Sequence, residues 1–128
     1  MEKEVKNWLD SATYDITTAE YMFETGRYIY TIFMCHMAIE KVLKAKIEEK
    51  TGEIPPRTHN LRYLCDLAEL KPEKNTVEFI SKLSDVSIAT RYPEDFDTMI
   101  KAYDKKAAAR YLKQAKEAFK WIKQSLAQ

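Results

Sequence analysis

The sequence predicts an all-α fold, an up-and-down antiparallel bundle of four to five helices. Three observations carry that prediction. Apolar residues recur at steps of three and four along most of the chain, the spacing that lines one face of a helix. No alternating apolar–polar run bounded by turn residues marks a strand. The two glycines and four prolines stand between the periodic stretches instead of inside them, as helix punctuation does.

The first helix is expected over about residues 2–25, with Val5, Trp8, Leu9, Ala12, Ile16, Ala19 and Phe23 on its buried face. Gly26 closes it. The second helix, about residues 27–51, follows through almost no loop, which makes the two antiparallel neighbours. Its tail of Lys44, Lys46, Glu48, Glu49 and Lys50 reads as a solvated face with charge pairs one turn apart. Gly52 is the expected C-terminal cap, and Pro55-Pro56 a short stiff connector.

A short third helix is expected over about residues 59–70, with Thr58 as N-cap and Leu61, Leu64, Cys65 and Ala68 inward. The fourth runs from about residue 72 or 73 to 90, using Val77, Ile80, Leu83 and Ser87. Residues 91–103 are polar and acidic and carry Pro93, so they read as a loop holding about one turn of helix. A last helix is expected over about residues 104–126, with Ala108, Tyr111, Leu112, Ala115, Phe119, Ile122 and Leu126 inward.

At 128 residues the chain is expected to form one domain, residues 1–128, with a core that needs no staples. Its 21 basic and 20 acidic side chains nearly cancel, so there is no global charge case for nucleic acid, although a local patch stays open. No run of 18 apolar residues offers a membrane span, and the charged N-terminus lacks the apolar core of a signal peptide. Cys35 and Cys65 sit in apolar helical patterns outside any Cys-x-x-Cys pair, which fits buried reduced thiols. The expectation is a soluble, cytoplasmic protein.

The second helix holds the functional signal. Ile29, Ile32, Phe33, His36, Glu40, Leu43 and Ile47 form one stripe, yet two central positions are ionisable. Burial of such a pair is costly unless each group finds a partner. His36 and Glu40 are therefore either a satisfied internal contact or the lining of a cleft. As metal ligands they number only two, and Cys35 points about 100° away on the helix, so no metal is expected.

Arg91 and Tyr92 form a second candidate, because a guanidinium in a polar turn can hold phosphate or carboxylate through paired hydrogen bonds. Its competing role is to reach Glu40 and pair with it. Arg27 and Lys44 can add positive charge to a cleft. His59 reads as a structural residue in the first turn of the third helix. Tyr28, Tyr30 and Tyr63 offer stacking faces, but residues at helical spacing are more often core or interface filler. Lys105, Lys106, Arg110, Lys113 and Lys116 make a basic stripe that reads as solvated unless Lys120 and Lys123 join it in one patch.

Several segments, in order, resemble the HEPN domain. They are Trp8-Leu9 with Ala12 and Asp15, Gly26-Arg27-Tyr28, the run from Cys35 to Ala45, Thr58-His59-Asn60-Leu61, Arg91-Tyr92-Pro93, and the alanines Ala107, Ala108, Ala115 and Ala118. The resemblance implies a helical bundle that dimerises with a polar cleft between subunits. It also implies action beside a minimal nucleotidyltransferase, commonly as a toxin–antitoxin pair, with nucleotide or RNA handling as the theme. Ribonuclease members carry Arg, four to six residues, then His. Here eight residues stand between Arg27 and His36, one stands between Arg57 and His59, and no histidine follows Arg91, so that activity is not carried over. His36 also stands where a glutamine is usual.

The sequence thus leads to a non-nuclease HEPN-like homodimer that works with a nucleotidyltransferase or binds a nucleotide. Its cleft would be lined by Arg27, His36, Glu40, Lys44, Arg91 and Tyr92, without catalytic residues, metal or cofactor. Two rivals are a diverged metal-independent ribonuclease, with His36 as acid or base and Arg27 or Arg91 on phosphate, and a non-catalytic interaction module.

Overall fold

The computed structural model describes residues 1–91 and 94–127, the side chains of Thr90 and Arg91 excepted. Six helices are present among them: α1 (Lys3–Glu24), α2 (Tyr28–Thr51), α3 (Leu61–Leu67), α4 (Lys74–Arg91), α5 (Phe96–Ala102) and α6 (Lys105–Gln124). Four are long, while α3 and α5 have seven residues each. The bundle is therefore all-α, with α2 at its centre against α1, α3, α4 and α6.

Side-chain pairs fix the directions. Trp8 near the start of α1 donates to Glu48 near the end of α2, and Asp15 pairs with Lys41, so the two helices are antiparallel. Val5 meets Leu126, and Glu20 pairs with Lys116, which sets α6 antiparallel to α1. The tight α1–α2 junction depends on Gly26 at a positive φ of 78°, a conformation that L side chains resist. Gly52 ends α2 in the same left-handed region, with its N–H on the Glu48 carbonyl. The core joins Ala12, Ile32, Ile39 and Leu43 to Leu61, Leu64, Leu83, Ala115 and Ile122, all fully buried.

Several expectations need correction. The N-cap of α3 is Asn60, whose side chain accepts from the Tyr63 N–H at 3.2 Å. Thr58 instead accepts from the Asn60 N–H, closing a local turn, and His59 lies outside the helix. The helix ends early because Glu69 takes a positive φ of 54°. Val77, in the first turn of α4, is exposed, and Phe79 is buried in its place.

Residues 96–102, expected within a loop, form α5. Asp95 caps it through the Thr98 N–H, and Phe96, Met99, Ile100 and Tyr103 fall at helical spacing. The tail of α2 is also no solvated face. Lys44 is buried, Glu48 accepts from Trp8, and Lys46 donates to the Ser125 carbonyl, because α1 and the end of α6 close over it. Tyr92 and Pro93 lie outside the described residues. Among the described residues no helix is long and apolar enough to cross a membrane.

Candidate functional site: a buried polar cluster behind an open cleft

Packing sets the rotation of α2, and that rotation carries polar groups inward. Ile32, Ile39 and Leu43 must be buried, so His36, Glu40 and Lys44, one turn apart on the same side, go in with them. Beyond Gly52 the chain returns through buried Pro55 and the Thr58–Asn60 turn. Asn60 starts α3, and the Leu61 N–H donates to the Ser84 hydroxyl of α4. These anchors set His59 opposite Glu40.

Glu40 is then satisfied on both oxygens. Its Oε1 accepts from His59 Nδ1 at 2.7 Å, and its Oε2 accepts from Lys44 Nζ at 3.0 Å. His36 Nδ1 stands farther off, 3.8 Å from Oε1. The other ring nitrogen, His36 Nε2, lies 3.0 Å from the carbonyl oxygen of His59. A carbonyl has no proton to give, so Nε2–H is the donor, which fixes the tautomer of a neutral His36 ring. The Lys44 ammonium also lies 5.6 Å from the centre of the Trp8 ring, a cation–π contact away from water. Two buried charges are tolerated here because they meet each other, the second carboxylate oxygen takes His59, and the ammonium lies beside the Trp8 ring.

The same contacts hold His59 twice, by its ring through Glu40 and by its backbone through His36. Its side chain nevertheless remains 59% exposed, against 4% for Glu40. With Nδ1 committed to the carboxylate, Nε2 is the ring nitrogen left for other chemistry. His59 lines a cleft of about 390 Å³ together with Asn60, Arg62, Ser84, Asp85, Ser87 and Ile88. Arg62 Nη2 lies 3.2 Å from Asp85 Oδ1 at its rim. The cleft therefore offers a base or acid, a fork of N–H donors, hydroxyls and a carboxylate.

The expected residues are divided by this geometry. His36, Glu40 and Lys44 come together, but as a buried group behind His59. Arg27 is exposed at the start of α2, thirteen residues from Glu40, or about 20 Å along the helix. There it lines a separate hollow with Tyr28, Tyr30, Phe96, Ile100 and Tyr103. The Arg91 side chain and all of Tyr92 lie outside the described residues, so the expected Arg91–Glu40 contact does too.

Sequence reasoning passed over His59 as a site residue, and did not single out Arg62, Ser84 or Asp85. One signal was available: Ser84 and Ser87 interrupt the apolar face of α4 at the height where the cleft opens. Among the described residues no group of three or more His, Cys, Asp and Glu side chains is placed to hold a metal ion. Nor is either thiol a poised nucleophile. Burial pushes Cys35 up to about 12 and also raises Cys65, which the neighbouring Asp66 charge raises further.

Comparison with known proteins agrees with this architecture. Superposition on TT1696 from Thermus thermophilus gives a TM-score of 0.79 at 23% identity, covering 98% of this chain and 100% of that one. ST0689, an archaeal HEPN homologue, gives 0.76 at 20% identity, covering 97% and 98%. At such identities the likeness is one of fold. None of the curated proteins matches the sequence. The family model of the HEPN domain matches residues 5–125, nearly the whole chain, and the protein thus belongs to the HEPN domain family.

Proposed function

We propose that this HEPN protein binds a nucleotide in the cleft between the start of α3 and α4, and works as a homodimer with a minimal nucleotidyltransferase. The two would form a toxin–antitoxin-type pair. One observation carries the reading: a buried carboxylate, lysine and histidine hold one accessible imidazole at the wall of a polar cleft of 390 Å³. Small-molecule sites are commonly of that size, with a few polar groups fixed in place. His59 and Arg62 supply positive or donor groups for a phosphate, and Asp85 an acceptor for ribose hydroxyls. In this reading Glu40, Lys44 and His36 order the site from behind. Arg27 belongs to a different surface.

Calorimetric titration with nucleoside mono- and triphosphates tests the proposal. Saturable heat that is lost in both His59→Ala and Arg62→Ala supports it. If no nucleotide gives heat, and a nucleotidyltransferase encoded beside this gene fails to co-purify, the reading is abandoned. The dimer fails if light scattering gives a monomer at every concentration.

The ribonuclease reading survives only in altered form. His36 is fully buried and cannot touch a substrate. The Glu40–His59 pair, with Nε2 open, is the arrangement that favours acid–base chemistry. RNA cleavage abolished by His59→Ala would establish it, and equal cleavage by wild type and variant would remove it.

A further inference from the structure

The charge of this molecule is divided between one helix and everything else. α6 carries seven basic residues and one acidic residue, Glu117. The rest of the chain holds fourteen basic and nineteen acidic side chains. The near-neutral total therefore hides a strongly basic helix on an acidic body. All seven cations of α6 are exposed, Lys120 and Lys123 included, so the stripe is continuous. Lys106, Arg110, Lys113, Lys116, Lys120 and Lys123 follow one another at steps of three or four, over about 25 Å of helix.

A merely solvated face does not need this arrangement. Like charges one turn apart repel. Elsewhere this protein pairs opposite charges on its surface, as in Lys6–Asp10, Lys50–Glu69 and Arg62–Asp85. Among the described residues the one such pair on α6 is Lys116–Glu20, at 3.4 Å between half-exposed groups. The opposite face of the helix is fully committed to the core through Ala108, Tyr111, Ala115 and Ile122, so the cations cannot turn away from one another.

We propose that the outer face of α6 docks a double-stranded nucleic acid by its phosphates. A duplex presents one negative charge per 1.7 Å, about fifteen along the length of the stripe. The acidic remainder of the molecule would repel the same polyanion, which restricts contact to this one face. Lysine is depleted in protein–protein interfaces, and five of the six stepped cations are lysine. Trp121 is the one exposed large hydrophobic residue on α6, so the face has neither the apolar core of a protein interface nor a row of stacking rings for single strands. Lysines read phosphates and not base edges, so binding is independent of sequence, and DNA and RNA duplexes both serve. This surface is independent of the nucleotide cleft proposed above.

Fluorescence anisotropy with labelled 24-base-pair DNA and RNA duplexes, the matching single strands and anionic vesicles tests it. The expected result is duplex binding with a log K against log salt slope of about −4.5, as five phosphate contacts give. Lys113→Gln with Lys120→Gln should cut affinity at least tenfold at low salt and lessen the slope by about two. Both side chains are exposed, so circular dichroism should be unchanged. The control pair Lys3→Gln with Lys74→Gln, exposed but off α6, should change affinity less than twofold. Absence of duplex binding at 50 mM salt, equal loss in the control pair, or tighter binding to single strands or vesicles would each overturn the proposal.

Discussion

Two carboxylate–lysine pairs flank α2, and they differ in what surrounds them. Asp15 and Lys41 meet at 2.8 Å in the α1–α2 seam, where Lys41 also donates to Ser11. Glu40 and Lys44 meet at 3.0 Å on the side facing the connector. The first pair closes on two helices and ends there. The second has a spare carboxylate oxygen, and that oxygen takes His59, a residue of the irregular segment before α3. The same chemistry thus staples helices in one place and, in the other, orders an accessible group. What separates the two pairs is the second carboxylate oxygen and what reaches it.

The largest expected effect tests that contrast directly. Lys44 is 8% exposed and Lys41 22%. Glu40→Ala leaves Lys44 charged, buried and alone, at a cost of about 3–5 kcal/mol. Asp15→Ala leaves Lys41 with Ser11 and a route to water, and should cost about 1.5–3 kcal/mol. Urea unfolding of the two variants decides the matter. Equal losses would mean that the two pairs do the same work and that the cluster is only another staple.

A second prediction concerns pH and the neighbouring core. Burial raises the Cys35 thiol from 9.0 to about 12, and Tyr111 rises to about 12 for the same reason. Each folded-state value lies above the unfolded one, so the folded protein keeps protons that the unfolded chain releases. Their contribution is fully present below pH 9 and is lost as pH rises toward 12. Cys35 accounts for a decline on the order of a few kcal/mol across that window. Chemical denaturation at pH 8, 9.5 and 10.5 should show the decline, and Cys35→Ala should flatten its first part. A stability that is flat to pH 10.5 would contradict the dry environment assigned to this side of α2.

The sequence made one half of the site legible and left the other hidden, for a physical reason. Local periodicity placed His36 and Glu40 on one helix face and demanded a partner for them. It could not supply the partner. The short contact of Glu40 is with His59, nineteen residues away, and it depends on the Gly52 turn, the Asn60 cap and the Ser84 hydroxyl together. The helical fold was readable because each helix announces its own buried face. α5 was read too short because Pro93 and the acids of 94–97 obscured its cap, although Asp95 and Thr98 stand at capping distance in the sequence. Lys44 illustrates the opposite error: a lysine near a helix end looked solvated, and its pairing with Glu40 under Trp8 of α1 shows why it is not.

A smaller effect separates ordering of the loop from stability of the fold. Asn60→Ala removes the cap of α3 at a cost of about 1 kcal/mol. Its consequence for His59 should exceed its consequence for unfolding, because the cap sits next to that residue. Amide exchange should accelerate over residues 58–62 more than over α2. Uniform acceleration would place His59 under the control of the global fold and remove the special role given to the connector.

The smallest expected effect belongs to the exposed pair at the cleft rim. Arg62 and Asp85 lie 3.2 Å apart, with side chains 49% and 67% exposed. Water screens such a pair, and a double-mutant cycle should return less than about 1 kcal/mol of coupling. Low coupling is the informative outcome when it accompanies a change in binding. Asp85→Asn removes a carboxylate that holds the guanidinium and repels phosphate, so inorganic phosphate, which has no ribose to lose its acceptor, should bind more tightly while the melting temperature stays within a degree or two. In Glu40→Ala the order should be reversed, with stability falling and His59 released from its place. A rim variant that costs stability without changing affinity would make Arg62 and Asp85 a third staple, and the contrast between the two sides of α2 would lose its functional meaning.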